Sequence, residues 1–482
     1  MLFRFYELTF ISVSSIGLIM GKRSISLFVL TMMNLAAILS LKTWPFAASF
    51  GLGSVLLILC VIICFMIPVA FVSAELATGW PQTGGVYIWV KEAFGHRWGF
   101  LAVWLLWIEN VVWYPTILTF IAGAIGYILG GNLASNPWFT AIVINVVYWG
   151  MTLFNLRGLK ESGIFTSFGV IVGTLIPGFV IILLGLSWYL NQNPVEIPIN
   201  RAALVPDVTS LANLAIIAGL VESYAGIEMN AIHAADVQKP QRSFPIAILI
   251  TVVILTLFST LGTLSVAMVL PLDIISLTSG GIETVAYIFN KYNIPFLTPL
   301  IGFLIAIGAL ASLSTWIIGP SRGLLTAAQY GDLPPILHTT NRKGMPVGML
   351  VLQGVLVSII STLFILLPSV SHSFWILEAM VAQLYIIMYI LMFLAAIRLR
   401  FTQPKVWRSF KVPGGKIGFF LTNVVGFSTF LFVLLIGFIP PSELGGVDLT
   451  IYEIVQVAGV VGFVVMPFII SLFKKPSWDE IR

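Results

Sequence analysis

Two carboxylates, Glu222 and Glu228, stand six residues apart in VESYAGIEMNAIH, residues 221–233, with Ser223, Tyr224 and Gly226 between them. The stretch lies in a segment apolar and long enough to reach the middle of a lipid bilayer. Acids at such depth are costly, and they usually serve a substrate, ion or proton pathway. Glu75, Glu109 and Glu378 fall at comparable depth, and Lys42 is the one base that does. The chemistry open to these groups is electrostatic: holding a charged ligand or taking up a proton. Low-dielectric surroundings favour a protonated carboxyl, and a neighbouring ammonium favours an ionised one. The sequence leaves open whether Lys42 pairs with Glu222 or with another acid. Either arrangement makes the activity pH dependent, with Glu228, Glu222 and Lys42 as the candidate groups.

The backbone around the two acids is expected to be interrupted. On a continuous helix Glu222 and Glu228 differ by about 240° and face different neighbours. Gly219 and Gly226 bracket Glu222. An unwound LVESYAG lets Glu222 line a cavity while Glu228 begins the inner half-helix, where the helix dipole favours negative charge. Freed backbone groups at such breaks hold ions and the charged ends of substrates. A second break is expected in FVLTMMNLAAILSLKTWPF, residues 28–46, where Asn34, Ser40 and Lys42 interrupt the apolar run. Ala36, Ala37 and Ser40 permit close backbone approach. Pro45 disfavours helix at Trp44 and releases the carbonyl of Leu41. The plainer alternatives are a kink without function and two acids in structural hydrogen bonds.

Other polar and aromatic residues divide by position. Glu75, in SAELATGWPQTGG, reads as a structural acid at the interface, and Glu378, in FWILEAM, as an interface anchor. Glu109 and Asn110 are adjacent in LLWIENVVWYP, so on a helix one faces a cavity while the other pairs between helices. Trp316 lies too deep for the aromatic belt of the interface, and is expected to line a cavity. Tyr385 is a weaker candidate of the same kind. His96, His233, His338 and His372 show no metal-ligand spacing, and no metal or cofactor is expected. Cys60 and Cys64, one turn apart, read as small membrane-facing hydrophobes.

The elements that must position these residues follow from composition. The 482 residues are 59% hydrophobic and 9% charged, and the mean hydropathy is +1.04. This is an all-α polytopic membrane protein; the short alternating segments of a closed β-barrel are absent. Twelve spans can be drawn, near 25–47, 53–76, 98–129, 138–156, 165–190, 209–233, 243–270, 295–328, 347–368, 373–398, 417–439 and 451–473. With both termini in the cytoplasm, 21 of the 24 Lys and Arg fall in inner segments. Only Arg201 and Lys291 fall outside, and Lys42 lies within the first span. This asymmetry follows the positive-inside rule. The net charge of +5 therefore reflects topology and contact with anionic membrane lipid, not a nucleic-acid site. The stretch LTFISVSSIGLIM, 8–20, is too short to span and lacks a clear signal-cleavage site. It reads as an interfacial stretch or as sequence before the true start, and residues 1–24 are given no function.

Breaks in the first and sixth spans lie five helices apart, which fits two five-helix repeats of inverted topology with the site between them. The repeats are then 25–190 and 209–398, followed by spans at 417–473 and a short cytoplasmic tail at 474–482. An intramembrane enzyme finds no HExxH, GxSxG or nucleophile–base pair to support it. A channel lacks a filter-like loop or a ring of charges. A non-transporting sensor lacks a soluble output segment.

The residues also carry a family resemblance. SAELATGWPQTGGVYIWVKEAFG and YAGIEMNAIHAADVQKPQRSFPIAI resemble signatures of the amino acid–polyamine–organocation transporter superfamily. STWIIGPSRGLLTAAQ, FKVPGGK and FIPPSELGG are most similar to its glutamate/GABA antiporter branch. The resemblance covers about 25–473 and leaves 1–24 outside. It implies a LeuT-type 5+5 inverted repeat in a plasma membrane, the inner membrane of a bacterium. It implies sodium-independent exchange, or proton-coupled uptake, of amino acids or their decarboxylated amines. It also implies a short tail without a long regulatory extension. By the same resemblance, Ala37, Ile38, Leu39 and Ser40 hold the substrate carboxylate, and backbone around Ser223–Gly226 holds its amino group. Asn110 and Trp316 match substrate contacts, and Glu228 matches an acid linked to pH response. Two departures stand out. AILSLK replaces the glycine-rich break of many members, and Glu222 stands where some exchangers use a gating aromatic. An acid there attracts a cationic group, or takes up a proton, and repels an anionic substrate.

Overall fold

The computed structural model describes residues 25–130, 133, 136–271, 280–367, 370–439 and 449–478. The stretch 8–20 and most of FIPPSELGG (438–446) lie outside the described residues. Ten helices there are long and apolar enough to cross a membrane, and the described residues contain no strand beyond isolated bridges. In chain order the helices are α1 (Leu27–Ile38), α2 (Thr43–Ala48), α3 (Gly51–Gly79), α4 (Val86–Phe94), α5 (His96–Leu129), α6 (Pro137–Asn155) and α7 (Leu159–Leu190). They continue with α8 (Leu211–Glu222), a 3₁₀ segment (Met229–Asp236), α9 (Pro240–Val269), α10 (Gly280–Lys291), α11 (Thr298–Gln329) and α12 (Val347–Leu366). Last come α13 (Val370–Thr402), α14 (Gly415–Ile436) and α15 (Leu449–Leu472). The ends of the ten long helices differ from the expected spans by at most six residues.

Helix starts follow the local residue types. Ser26 and Ser210 accept hydrogen bonds from the amides of Val29 and Asn213, capping α1 and α8. Asn136 caps α6, with Pro137 in the first turn, where a missing N–H costs nothing. The short helices α4 and α10 did not stand out in the hydropathy pattern. Both are amphipathic rather than uniformly apolar, so neither reads as a span.

Burial orders the bundle. The apolar window of α5 is 94% buried and that of α13 is 78% buried, against 17% for α15. Helix α5 packs on both α11 and α13, forming the centre around which the remaining helices are arranged. Helices α7 and α11 cross at Gly173 and Gly308, where a Cβ on Gly173 would fall 2.1 Å from the Gly308 amide nitrogen. Small residues permit this approach, as at other membrane helix crossings. A polar seam flanks the crossing. Ser314 Oγ donates to Asn155 Oδ1 at 2.7 Å and lies 2.8 Å from Ser162 Oγ, and Thr315 Oγ1 lies 3.2 Å from Thr166 Oγ1.

Two of the expected spans are each divided. The first is α1 and α2 with residues 39–42 between them. The sixth is α8 and the 3₁₀ segment with residues 223–228 between them. Pro45 does not act as expected. Trp44 and Pro45 both lie in the first turn of α2, where proline needs no donor. The break falls one turn earlier, at Leu39, whose backbone is extended (ψ 101°).

Candidate functional site

The two interruptions face each other across a cavity of about 50 Å³, well below the roughly 300 Å³ of an ordinary small-ligand pocket. Helix α1 ends there at Ile38 and α8 ends there at Glu222. Both therefore direct their carbonyl ends, the negative ends of their dipoles, at the cavity. No described protein donor reaches the carbonyls of Ser223, Tyr224 and Ala225, and the N–H groups of Ser40 and Leu41 reach no described acceptor. Of these residues, Ser40 lines the cavity from one break and Ser223 and Ala225 from the other, while Leu41 and Tyr224 do not reach it. Gly226 permits the turn with φ +111°, a conformation that L side chains rarely adopt.

Four charged groups line the cavity: Lys42, Glu109, Glu222 and Glu378. Lys42 pairs with Glu378, Nζ to Oε1 at 3.1 Å, and lies 4.6 Å from the centre of the Phe374 ring. Glu378 is therefore a cavity residue, not the interface anchor that its position in α13 suggested. Glu109 and Asn110 both line the cavity. They bond to each other, and Asn110 Nδ2 also donates to the Leu106 carbonyl at 2.8 Å. Neither makes the interhelical pair expected of one of them, because both side chains turn along their own helix. The Glu222 carboxylate has no hydrogen-bond partner among the described residues. It is 8% exposed and faces the cavity.

Glu228 lies behind this surface. Its two carboxylate oxygens accept hydrogen bonds from the hydroxyls of Tyr385 and Tyr389, each at 2.8 Å. The two rings stack at 4.7 Å, and the Gly226 amide donates to the Tyr389 hydroxyl at 2.9 Å. Glu228 stands at the residue before the 3₁₀ segment, but its side chain makes no capping bond there and is held by the two hydroxyls. Tyr385 alone among these three side chains reaches the cavity, so it stands between cavity and acid.

Trp316 joins the two breaks. Its indole N–H donates to the Ala37 carbonyl at 3.1 Å. A Cβ on Gly226 would fall 2.6 Å from its ring. The expected residues Ala37, Ile38, Ser40, Asn110, Glu222, Ser223, Trp316 and Tyr385 meet here with Lys42. Leu39, Tyr224 and Gly226 do not: Leu39 borders a separate void of about 20 Å³, Tyr224 is buried away from the cavity, and Gly226 lies against the Trp316 ring outside the lining. Extended backbone at Leu39 turns its side chain off the cavity side.

Trp113, Ser312 and Thr43 also line the cavity, and none of them is among the expected substrate contacts. Helical spacing carried a signal for two of them. Trp113 is four residues after Glu109, and Ser312 is four before Trp316, so each shares a face with a residue already suspected.

Beyond the cavity, the start of the chain's described part is tied to the far end of the sixth segment. Ile25 N–H donates to the Asp236 carbonyl at 3.1 Å, and Gln238 N–H donates to the Ile25 carbonyl at 2.9 Å. Asn230 Nδ2 donates to Asn34 Oδ1 at 3.0 Å. Arg322 bonds Asp236 at 2.8 Å and lies 3.1 Å from His233 Nδ1. Glu75 fits the structural reading. It ion-pairs with Arg400, lies 3.6 Å from Arg408 Nε, and accepts from the Val412 amide at 2.9 Å. It thereby pins the loop between α13 and α14. Cys60 and Cys64 are free thiols.

A family model described as amino acid permease matches residues 5–463. That match takes in most of the segment 1–24, which the sequence resemblance left outside. The chain is 39% identical over 461 residues to an uncharacterised transporter of Legionella pneumophila, covering 96% of this chain and 98% of the relative. It is 30% identical over 470 residues to a glutamate/gamma-aminobutyrate antiporter of Lactococcus lactis, covering 96% and 93%. It is 23% identical over 396 residues to a probable agmatine/putrescine antiporter of the same species, covering 82% and 83%. These relatives are transporters, not enzymes.

Proposed function

The chain belongs to the amino acid permease family, and from that premise we propose that it exchanges amino acids or their decarboxylated amines by alternating access, independently of sodium and in a pH-sensitive manner. The observation that carries this reading is the pair of helix breaks meeting at one cavity, lined from one break by Ser40, whose amide is unbonded, and from the other by Ser223 and Ala225, whose carbonyls are unbonded. A zwitterionic substrate is complementary to that arrangement. Its carboxylate accepts from the Ser40 amide after α1, and its ammonium lies against the Ser223 and Ala225 carbonyls after α8. The twelve-span, 5+5 inverted-repeat arrangement, with termini in the cytoplasm of a plasma membrane, is part of the same reading.

Charge selects within that class. The cavity sets three carboxyls, Glu109, Glu222 and Glu378, against one ammonium, Lys42. Two helix C-termini add partial negative charge. Glu378 is already paired with Lys42 and Glu109 accepts from Asn110, so Glu222 is the carboxylate left without a bond for a substrate cation. The site favours a substrate whose far end is cationic or neutral over one that is anionic. Of the hydroxyls in ASLST (311–315) that a sodium site could draw on, Ser314 and Thr315 are engaged in interhelical bonds and Ser312 lines the cavity; sodium independence therefore rests on the family resemblance.

A proton-coupled uptake mode is favoured by a specific observation too: Glu228 is buried, separated from the cavity by Tyr385, and held by two hydroxyls. Such a group can carry a proton between states while the substrate moves past. Flux in proteoliposomes, measured from about pH 4.5 to 7.5, distinguishes the roles. Glu228→Gln is expected to flatten the pH profile while exchange persists. A profile that stays flat in wild type, Glu222→Gln and Glu228→Gln alike contradicts pH sensing at this site.

A further inference from the structure

A larger concavity of about 960 Å³ lies away from the helix breaks, between the end of α13 and the first half of α14. Its wall is apolar, formed by Phe401, Phe419, Phe420, Val424 and Phe427. Its polar end is basic, lined by the buried Arg408, the part-buried Arg400 and the exposed Lys411 and Lys416. Glu75 is the carboxylate set against this cluster, and Arg400 and Arg408 share it. Lys411 and Lys416 are exposed and pair with no carboxylate among the described residues. Four cations against one acid leave that end positive. The geometry points to a binding site for one anionic phospholipid, with its phosphate between Lys411 and Lys416 and an acyl chain along the phenylalanine wall.

Dimensions and exposure agree with that occupant. The lining runs along α14 from Gly415 to Ser428, which at 1.5 Å per residue is about 20 Å. One leaflet of hydrocarbon is about 15 Å, so the groove has the depth of a single leaflet plus the headgroup level. Phe401 is 73% exposed and Phe420 is 66% exposed, so protein does not close the wall. The turn between the lysines uses Gly414 and Gly415 at φ +81° and +64°, a reversal that sets Lys411 and Lys416 on either side of one bend. This end of the bundle carries the excess of Lys and Arg, where anionic headgroups are drawn to basic pockets between helices. A phosphate without tails leaves the aromatic wall uncovered, and a zwitterionic lipid leaves the lysines uncompensated.

The test titrates the purified full-length protein in detergent with phosphatidylglycerol or with phosphatidylcholine of the same chains. Native mass spectrometry reads the retained lipid, and thermal melting confirms that each variant is folded. Wild type is expected to retain one phosphatidylglycerol at least tenfold more strongly than phosphatidylcholine. Lys411→Gln with Lys416→Gln is expected to remove that preference. Val424→Trp, which narrows the groove and keeps both lysines, is expected to reduce phosphatidylglycerol retention several-fold. Equal retention of the two lipids by wild type, or an unchanged preference in the lysine variant, overturns the proposal. Displacement by inorganic phosphate, with no effect of Val424→Trp, overturns it as well by assigning a tail-free anion.

Discussion

Glu222 and the Lys42–Glu378 pair give the cavity its chemical character, and they make separable demands. Lys42 and Glu378 have side chains only 11% and 12% exposed. Removing one partner leaves the other charge buried, a change that typically costs about 3 kcal/mol or more, whereas replacing both by apolar groups costs far less. Lys42→Met is therefore expected to lower the melting temperature sharply, and Lys42→Met with Glu378→Leu to restore most of the loss. Equal melting of single and double variants contradicts the pairing. Glu222 makes no such bond, so Glu222→Gln is expected to leave stability nearly unchanged. It should weaken binding of cationic substrates by about tenfold or more, the scale of one lost charge-assisted hydrogen bond. Competition assays with amines against neutral amino acids measure this. Glu222 was legible in the sequence because an acid between two glycines in an apolar run has few structural uses. Glu378 was not. It sits seven residues before Tyr385 on one helical face, but its partner is 336 residues away, a tertiary pairing that spacing along the chain does not encode.

At the level of elements, the breaks carry the site, and single small residues hold them open. Gly226 combines φ +111° with a Cβ position 2.6 Å from the Trp316 ring. Gly226→Ala is thus strained in backbone and in space, and is expected to cost more than about 1 kcal/mol and to abolish exchange. Thermal melting and flux check the two parts separately. Normal flux from this variant contradicts the assigned backbone. Gly308→Leu is expected to prevent folding, because a Cβ there already meets the Gly173 carbonyl at 2.5 Å; yield of monodisperse protein measures it. The existence of both breaks was legible from polar and small residues at matching positions. Their form was not. Pro45 signals a break in general but here begins α2, and the inner half of the sixth segment is 3₁₀ rather than α-helical. Tertiary contacts settle such choices: the Trp316 indole takes up the Ala37 carbonyl and the Tyr389 hydroxyl takes up the Gly226 amide.

Across the whole molecule, length, hydropathy and the Lys/Arg asymmetry made the helical bundle legible, since lipid imposes length and charge constraints directly. The ties between distant segments were hidden, because they join single polar residues in loops and at helix ends with no fixed spacing along the chain. One such tie is Lys474, after α15, which bonds Asp332 at 2.9 Å. Tyr87 also donates to Asp332 at 3.2 Å. Burial raises the Asp332 carboxyl above its ordinary value of 3.8, and Lys474 and Tyr87 offset this only in part. A raised acid contributes stability that is fully present below its ordinary value and is lost as pH rises through the raised one. Melting of Asp332→Asn minus that of wild type is therefore expected to grow as pH rises from about 4; a difference that shrinks contradicts the assignment. The central claim is that one cavity between two helix breaks exchanges substrates selected by Glu222. It is tested most directly by counterflow in sodium-free proteoliposomes with a panel of labelled amino acids and amines. Label is expected to enter only vesicles preloaded with a substrate, with preference for cationic or neutral members, and Glu222→Gln is expected to erase that preference. Equal uptake into empty vesicles, or a preference that Glu222→Gln leaves intact, would contradict it.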